Sequence, residues 1–342
     1  MLDWFSGLVG YDASNVRNGR VLRLAPDGRI ESDRDAWVSA VGSYDTNLQV
    51  MADVPTDAMR GASEALGFLC SSPCLRVSGN PVKWLQGHNI WGPSVSLLGP
   101  VIQEVARKLP ENVRPVDCDS DTLPSVKRTR VDVNVMVDLG SHQVVHDWLA
   151  HAALETRSRS GRALQSDTTV YWGKHSTRWS LKAYCKHCEL LARPQSFPVS
   201  AGTLEYCRQL LRIELCLRRP ELRDRGTLSE EIIWEFFRRI EIGVMKENVD
   251  ANVSKLPFPV PAVFAHWMVG GDVRQGIARA TFYKYRRMLL DAAGVDISLS
   301  PVQQLDKLEG TAFNRDLFDA NVLRSRVVTR PPDSLQLPLL DV

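Results

Sequence analysis

The run RVDVNVMVDLG, residues 130–140, alternates strictly between valine and other side chains. A period of two is the periodicity of a β-strand, because successive side chains point to opposite faces of the sheet. One face carries Val131, Val133, Val135 and Val137, and the other carries Arg130, Asp132, Asn134, Met136 and Asp138. The run therefore predicts a strand that buries its valines and presents acids on its second face.

Further strand signals lie on both sides of this run. RVLRLAPDGRIES (20–32) predicts a hairpin around its Pro-Asp-Gly turn. AVGSYDTNLQVMA (40–52) predicts one strand, and CLRVSGNPVKWLQGHNIWG (74–92) predicts a short strand followed by a glycine-rich loop. Three later segments also alternate, namely TTVYWG (168–173), WSLKAYCKHCEL (179–190) and LLRIELCLRR (210–219).

Helical signals are concentrated towards the end of the chain. SHQVVHDWLAHAALE (141–155) predicts an isolated helix, with Ser141 as its N-cap and an apolar stripe of Val145, Trp148, Leu149 and Ala152. From Gly226 onwards LSEEIIWEFFRRIEIGV, PAVFAHWMV and ARATFYKYRRMLLDAAG predict helices. We therefore expect an α+β protein with an antiparallel-sheet domain at 1–225, a helical domain at 226–322 and an extended tail at 323–342.

Composition excludes several classes of protein. With 342 residues, 44% hydrophobic and 24% charged, the chain can bury a full core. MLDWFSGLVG lacks a basic stretch before its apolar residues, and no segment approaches 18 uncharged apolar residues, so we expect neither secretion nor a membrane span. Seven cysteines without the spacing of a small disulfide framework favour a reducing compartment. We therefore expect a cytoplasmic protein.

The net charge of +2 is too small to indicate a nucleic-acid partner, but the basic residues are clustered. A single cluster is typical of an ordinary solvated surface. The three clusters are Lys127, Arg128 and Arg130; Arg157, Arg159 and Arg162; and Arg279, Lys284, Arg286 and Arg287.

Two zinc arrangements can be considered. His142 and His146 have the i, i+4 spacing of helical zinc ligands, but Gln143 stands where a metalloprotease has its glutamate, so we expect two solvent-facing histidines. Cys185 and Cys188 would need a second pair, for which Cys70 and Cys74 are the nearest candidates. Because free cysteines more often pack as small hydrophobic residues, we expect no zinc there either.

A third arrangement joins the predicted strands. If they form one antiparallel sheet, Asp132 and Asn134, Glu214, and the run of Lys182, Tyr184 and Lys186 can converge on one face. Oxygen ligands suit Mg²⁺ or Mn²⁺, which polarise a phosphodiester. We expect the neighbouring lysines to lower the pKa of the tyrosine and make it a better nucleophile. Packing is the alternative role for a strand tyrosine.

Four segments carry a resemblance to a known family. They are GNPVKWLQGHNIWG (79–92), RVDVNVMVD (130–138), TVYWGKHSTRWSLKAYCKHCEL (169–190) and LLRIELCLRR (210–219). Together they resemble the gene II replication initiators of filamentous phages and, more distantly, the initiators of rolling-circle plasmids. The resemblance implies nicking of one origin strand, a covalent 5′-phosphotyrosine intermediate, and later rejoining of the displaced strand. It also implies origin and single-stranded DNA, with the host helicase and polymerase, as partners in a bacterial cytoplasm. We expect the basic clusters at 127–130 and 157–162, together with Lys182, to contact the phosphates of the single strand.

The resemblance assigns roles to individual residues. It places the nucleophile at Tyr184, the acids of the metal site at Asp132 and Glu214, and the family's loop histidine at His88. This sequence lacks the two histidines that flank a hydrophobic residue in most nickases of this mechanistic class, so Asn134 is the expected substitute ligand. Lys186 is the expected phosphate-orienting or metal-orienting cation, although it follows the tyrosine sooner than in the wider class. His88 can equally order the glycine-rich turn.

The predicted C-terminal helices suggest a DNA-binding surface. In ARATFYKYRRMLLDAAG the inward stripe is Phe282, Tyr285 and Leu289, while the basic residues project elsewhere. With the preceding helix this segment is typical of a helix-turn-helix whose second helix enters a major groove, or of a hairpin that packs on the sheet domain. A DNA-binding regulator without catalysis is therefore the alternative function. In that case the sheet would be only a scaffold.

Overall fold

The structure is a computed structural model that describes residues 1–53, 73–159, 161–166, 168–192, 197–223, 225–242, 249–298, 314–335 and 337–340. Its largest element is a nine-stranded sheet. In chain order the strands are β1 (Leu2–Asp12), β2 (Gly19–Leu24), β3 (Ile30–Ala36), β4 (Val38–Val41), β5 (Asn47–Asp53), β6 (Cys74–Gly79), β7 (Val126–Asp138), β8 (Thr156–Ser158), β9 (Gly161–Arg162), β10 (Leu164–Ser166), β11 (Thr169–Trp172), β12 (Trp179–Cys185), β13 (Leu210–Arg218) and β14 (Glu241–Ile242).

The nine strands have the order β10-β11-β12-β13-β7-β1-β6-β5-β4, and all neighbours are antiparallel. The strands β2 and β3 form the hairpin predicted at 20–32, with Gly28 at a φ of 83° in its turn. The strands β14, β8 and β9 make a small separate sheet. The expected α+β class with a large antiparallel sheet is thus confirmed.

The described helices are mostly short. They are α1 (Pro81–Gln86), α2 (Leu98–Lys108), α3 (His142–Glu155), α4 (Lys186–Ala192), α5 (Ala201–Tyr206), α6 (Arg219–Leu222), α7 (Glu231–Phe237), α8 (Val249–Val253), α9 (Val260–Met268), α10 (Arg279–Ala293) and α11 (Ala320–Ser325). The predicted N-cap of α3 is confirmed, since the Ser141 hydroxyl accepts the Val144 amide. Among the described residues, none of these helices has the length and apolar character needed to cross a membrane.

The described residues form two large hydrophobic cores and a third, smaller cluster that includes Ile90, Met136 and Leu210. The larger core lies on the valine face of β7, where Val131, Val133 and Val137 are fully buried, and it includes apolar residues of α3 and α7. The second core joins residues of α8, α9 and α10 to Val295 and Ile297. We call residues 249–297 the helical unit. Since α7 packs into the first core, the described chain changes core between Ile240 and Val249, and the domain boundary expected after residue 225 stays a prediction.

Some local predictions were wrong. The single strand expected at 40–52 is the hairpin of β4 and β5, because residues 43–45 form a turn with positive φ at Tyr44 and Asp45. The loop expected after β6 begins with α1, which Asn80 caps by accepting the Lys83 amide. Gly87 ends this helix at a φ of 87°, where an added Cβ would lie 2.2 Å from the Tyr44 ring.

Most described cysteines are free. Five have free thiols: Cys118, Cys185, Cys188, Cys207 and Cys216. Cys74 is the exception, because it is disulfide-bonded. Cys70, considered above as a zinc ligand, lies outside the described residues. A bonded Cys74 thiol has no free thiolate for a metal, which removes the pairing of Cys70 and Cys74 with Cys185 and Cys188.

Candidate functional site

Strand register brings the predicted polar side chains to one face of the central sheet. Lys182 on β12 pairs with Glu214 on β13, which pairs in turn with Asn134 on β7. The adjacent row pairs Tyr184 with Arg212. Directly paired residues in antiparallel strands share a face. The sequence prediction that these strands converge in one sheet is therefore confirmed.

Tyr184 is held against Glu214 in the middle of this face. Its side chain is only 6% exposed, and its hydroxyl donates to Glu214 Oε2 at 3.3 Å. The other oxygen, Glu214 Oε1, accepts from Lys182 Nζ at 2.8 Å, and the same ammonium lies 5.3 Å from the centroid of the Tyr184 ring. The Glu214 carboxylate thus links the phenol of Tyr184 to the partly exposed ammonium of Lys182.

A buried arginine organises the site. Arg212 is 0% exposed; it donates from one guanidinium nitrogen to Asp3 Oδ1 at 3.0 Å and from another to the Asn89 carbonyl. Asp3 Oδ1 also accepts from Asn80 and Asn89 at 2.8 and 2.9 Å. A fully buried charge persists only where it is paired and hydrogen-bonded, so this network fixes the loop after β6 against the sheet.

Lys186 lies elsewhere than predicted. The strand ends at Cys185, and Lys186 is the first residue of α4, so it does not share the strand face of Tyr184. Its ammonium is nonetheless fully buried, and it donates to Glu189 at 2.8 Å and to Asn89 at 3.4 Å. Lys186 therefore reaches the network from the end of the strand.

Burial controls the acid–base properties of the site. Burial raises the pKa of Tyr184 well above its usual value, although Arg212 opposes the shift, so the expectation that neighbouring lysines lower this pKa was wrong. Burial, with Asp3 adding to it, raises the pKa of Glu214 to about 7. Burial also lowers the pKa of Lys186, with Arg212 contributing. Glu214 is thus the group poised to gain or lose a proton near neutral pH.

The remaining predicted metal ligands have different surroundings. Asp132 is buried and accepts two hydrogen bonds from Arg130, one of them at 2.9 Å. Asn134 is fully buried, and neither its amide oxygen nor its amide nitrogen has a hydrogen-bond partner in the part of the chain that the structure describes. Unpaired buried polar atoms are rare in folded proteins and indicate a missing partner.

His88 is tied into the protein through both ring nitrogens. Its Nε2 donates to the Pro338 carbonyl at 2.8 Å, while Nδ1 accepts from the Ile90 amide at 3.3 Å. Burial lowers its pKa to about 4, so the ring is neutral at pH 7. These contacts favour the alternative in which His88 orders the glycine-rich turn.

Residues 1–237 match the family model for the N-terminal part of the phage replication-associated protein. This chain belongs to the phage replication-associated protein family. It is 31% identical over 322 residues to the replication-associated protein of Enterobacteria phage I2-2, a match that covers 88% of each chain.

More distant matches are shorter. The replication-associated protein of Salmonella phage IKe is 31% identical over 130 residues, covering 35% of this chain and 28% of that protein. Its counterpart in Enterobacteria phage fd is 26% identical over 156 residues, covering 44% of this chain and 36% of that protein. Among solved structures, a rolling-circle replication initiator from Geobacillus stearothermophilus aligns with 88% of this chain and 98% of its own, at 14% identity and a TM-score of 0.33. The resemblance to filamentous-phage initiators noted from the sequence is confirmed by the family match.

The basic clusters within the family-matched region are partly engaged inside the protein. Arg128 donates to the carbonyls of Arg225 and Gly226, and Arg130 to Asp132. Lys127 is half-buried, and burial lowers its pKa. Arg159 is exposed, whereas the side chains of Arg157 and Arg162 lie outside the described part.

Beyond the family match, α10 presents its cations unequally. Its predicted inward stripe is confirmed, since Phe282 and Leu289 are buried in the second core and Tyr285 packs on it. Arg279, Lys284 and Arg287 are exposed. Arg286 instead holds the buried Asp296 through two hydrogen bonds, so it has a structural partner. Residues 269–278 separate α9 from α10, a longer link than the usual turn of about 3–4 residues in a helix-turn-helix.

Sequence reasoning missed the residues that hold the site together. Asp3 and Asn89 gave no signal, because they come from the start of β1 and from a loop, far from the tyrosine in sequence. Arg212 did have a signal: it alternates with Glu214 in LLRIELCLRR, two residues away on the same face. Its alternation with a predicted catalytic acid was the available clue.

The prediction that the two histidines and the two cysteines belong to separate groups was also wrong. His142 and His146 on α3 are only partly exposed, and their ring nitrogens lie beside the Cys188 sulfur at 3.6 and 3.5 Å. Together with Cys185 they form a group of potential metal ligands. Among the described residues, Asp132, Glu214 and His88 do not form such a group.

Proposed function

We propose that this member of the replication-associated protein family initiates rolling-circle DNA replication by cutting one origin strand and joining its 5′ phosphate to Tyr184. The observation that carries the proposal is the hydrogen bond from the Tyr184 hydroxyl to Glu214. A nucleophilic hydroxyl needs a base within hydrogen-bond reach, and a base whose pKa lies near the working pH is the most effective. Glu214, with its pKa raised to about 7, meets both requirements.

A single displacement at phosphorus cuts the strand and joins its 5′ phosphate to Tyr184. The Tyr184 oxygen attacks the scissile phosphorus as its proton passes to Glu214, and the bond from phosphorus to the 3′ oxygen breaks. The departing 3′ oxygen takes a proton from solvent and becomes the 3′-OH that a host polymerase extends. Buried Arg212 stabilises negative charge on the phenol oxygen as it forms, which offsets the cost of ionising a buried phenol.

We expect DNA to approach from the side on which the cations of the site are exposed to solvent. Lys182 and Arg130 are the partly exposed cations at the solvent side of the site, and each pairs with a buried carboxylate, Glu214 and Asp132 respectively. A phosphodiester that draws the two cations towards itself weakens both ion pairs. The carboxylates then become available to other partners. The proposed role of Lys182 is therefore to release Glu214 and to pair with a DNA phosphate instead.

A divalent cation, Mg²⁺ or Mn²⁺, would be held by Asp132, Glu214 and Asn134, whose oxygens are the ligands such ions prefer. The unpaired buried oxygen of Asn134 supports this assignment. When bound, the cation polarises the phosphodiester and offsets its developing charge. We leave His88 out of this ligand set because both its ring nitrogens are bonded within the protein. Lys186, which touches Asn89 and Glu189, positions the loop and α4 around the phenol.

Rejoining reverses the first step. The 3′-OH of the displaced strand attacks the phosphotyrosine and releases its proton to solvent. The bond from phosphorus to the tyrosine oxygen breaks, and the phenol recovers its proton from Glu214. The same pair of residues thus serves cutting and joining. Unwinding ahead of the polymerase requires a helicase, which we assign to the host.

The experiment is to incubate the protein with a supercoiled plasmid carrying the phage origin and Mg²⁺ or Mn²⁺. Open-circular product with protein attached to the 5′ end is expected, and tryptic mapping of the adduct by mass spectrometry should place the DNA on Tyr184. An adduct on another residue would contradict the role of Tyr184. DNA binding without relaxation would favour a regulator, for which the exposed Arg279, Lys284 and Arg287 on α10 are the supporting observation.

A further inference from the structure

A second polar cluster lies beside the junction between β12 and α4. It consists of His142 and His146 from α3, Cys185 at the end of β12, and Cys188 in α4. Each offers one ligand atom, and all four atoms lie within 4.8 Å of one another. Because Cys185 alternates with Tyr184 along the strand, this cluster is on the opposite face of the sheet from the phenol.

The distances are those of a compact four-ligand site. The two Nε2 atoms of His142 and His146 are 3.0 Å apart, and Cys188 Sγ lies 3.6 and 3.5 Å from them. Zinc bonds of about 2.0–2.3 Å in a tetrahedron separate neighbouring ligand atoms by about 3.3–3.8 Å. A central ion therefore needs shifts of only a few tenths of an ångström at these three atoms.

The spacing of the four ligands along the chain also fits a zinc site. The spacings Cys-x₂-Cys and His-x₃-His are both among those used in zinc sites.

We propose that these four side chains bind one zinc ion in a structural Cys₂His₂ site. Two thiolates and two imidazoles in a tetrahedron select zinc over magnesium or calcium. Four protein ligands fill the coordination shell and leave no position for substrate. The ion binds as Zn²⁺ and displaces the two thiol protons to solvent, so charge and atoms balance.

The zinc ion stabilises the end of β12 next to Tyr184, the proposed nucleophile. Cys185 directly follows Tyr184, and Cys188 lies in the first turn of α4, so the ion fixes the point where the strand becomes α4. It ties this point to α3, which packs in the sheet core through Trp148. The position of the phenol against Glu214 is then held from both faces of the sheet.

The first test is the metal content of the full chain purified in a reducing, chelator-free buffer after growth with zinc. Elemental mass spectrometry should find about one zinc ion per chain. Cys188→Ser and His146→Ala should each lose most of it. Cys207→Ser and His175→Ala are matched controls, a buried thiol and an exposed imidazole outside the cluster, and they should keep it.

A second measurement does not depend on the variants folding. Cobalt added to the metal-free wild-type chain should give the visible bands of tetrahedral Co²⁺ with sulfur-to-cobalt charge transfer, and zinc should displace it. Wild-type protein without zinc, zinc that gel filtration removes, zinc retained by Cys188→Ser, or cobalt bound without thiolate bands would each overturn the site. None of these readouts involves DNA cleavage, so the zinc site and the nicking function fail or succeed separately.

Discussion

The central sheet and the helical unit use charged residues in opposite ways. At the polar face of the sheet, Arg212 on β13 and Lys186 at the start of α4 are completely buried and bonded to carboxylates or amide oxygens. On α10 of the helical unit, Arg287 is 85% exposed. Burying a charge is costly unless its partners are fixed, whereas an exposed cation costs little and stays available. Under the proposed function, the sheet would hold its charges for chemistry, and the helical unit would offer its charges to DNA.

The sharpest way to test the sheet half of this contrast is Tyr184→Phe. The ring still packs, so folding and origin binding should persist, while cleavage falls by at least ~1,000-fold because the nucleophile is gone. Tyr171→Phe is the matched control on the neighbouring strand, since Tyr171 pairs with Lys182 in the register but lacks a contact with Glu214. Nicking assays on supercoiled DNA give both rates, and full activity of Tyr184→Phe would remove the chemistry from this face.

The second prediction concerns buried charge itself. Arg212→Met leaves Asp3 buried without its cation, and removing one partner of such a pair costs about 3–5 kcal/mol of unfolding free energy. Arg178→Met provides the comparison, because the Arg178 pair with Glu221 is largely exposed on the arginine side and should contribute no more than about 1 kcal/mol. Urea unfolding measures both. Equal losses would show that burial does not distinguish these arginines.

The third prediction uses pH. The pKa of Glu214 in the folded protein, about 7, lies above its unfolded value, so its contribution to stability is complete below about pH 4.5 and is lost as the pH rises through 7. Between pH 5 and 8 the free energy of unfolding of the wild-type chain should fall by on the order of 2 kcal/mol relative to that of Glu214→Gln. The groups that face this carboxyl are Tyr184, Asp3, Lys182, Asp132 and Arg212.

Exposed Glu111 supplies the control for that series, since Glu111→Gln should follow the wild-type pH dependence. Thermal unfolding across the pH range provides the measurement. The nicking rate should rise over the same range, because ionised Glu214 accepts the phenol proton. A wild-type curve parallel to that of Glu214→Gln would mean that the carboxyl has its ordinary pKa.

The smallest effect is expected in the helical unit. Replacing Arg279, Lys284 and Arg287 by glutamine should weaken origin binding by about tenfold and reduce the salt slope by about one per lost phosphate contact. The cleavage rate at saturating DNA should stay unchanged. Arg286→Gln should instead lower stability, because Asp296 loses its partner. Fluorescence anisotropy at several salt concentrations separates these outcomes, and an unchanged slope would argue that α10 does not touch DNA.

The sequence predicted the parts of the fold that have a strong period. Alternation in RVDVNVMVD and LLRIELCLRR located β7 and β13, and it placed Asp132 and Glu214 on one face. Short-range turn chemistry was harder to interpret, as at 40–52, because a turn of three residues interrupts the alternation only briefly. The length of a helix was likewise overestimated at 228–244, where α7 ends at Phe237.

Contacts between distant segments were beyond sequence reasoning. The pairing of Asp3 with Arg212 and the meeting of the α3 histidines with the cysteines around the start of α4 depend on how helices pack on the sheet, which no local pattern encodes. The expected drop in the pKa of Tyr184 failed for a related reason. Charge neighbours can be read from spacing, whereas the depth of burial that dominates this pKa depends on the whole fold.

The strict register of β12 has an evolutionary consequence. Tyr184 and Cys185 are neighbours in the chain but serve opposite faces, so inserting or deleting one residue in this strand would send the phenol into the hydrophobic core and a thiol into the polar site. Changes in length can therefore be accommodated in loops and in the helical unit, where insertions leave this alternation intact.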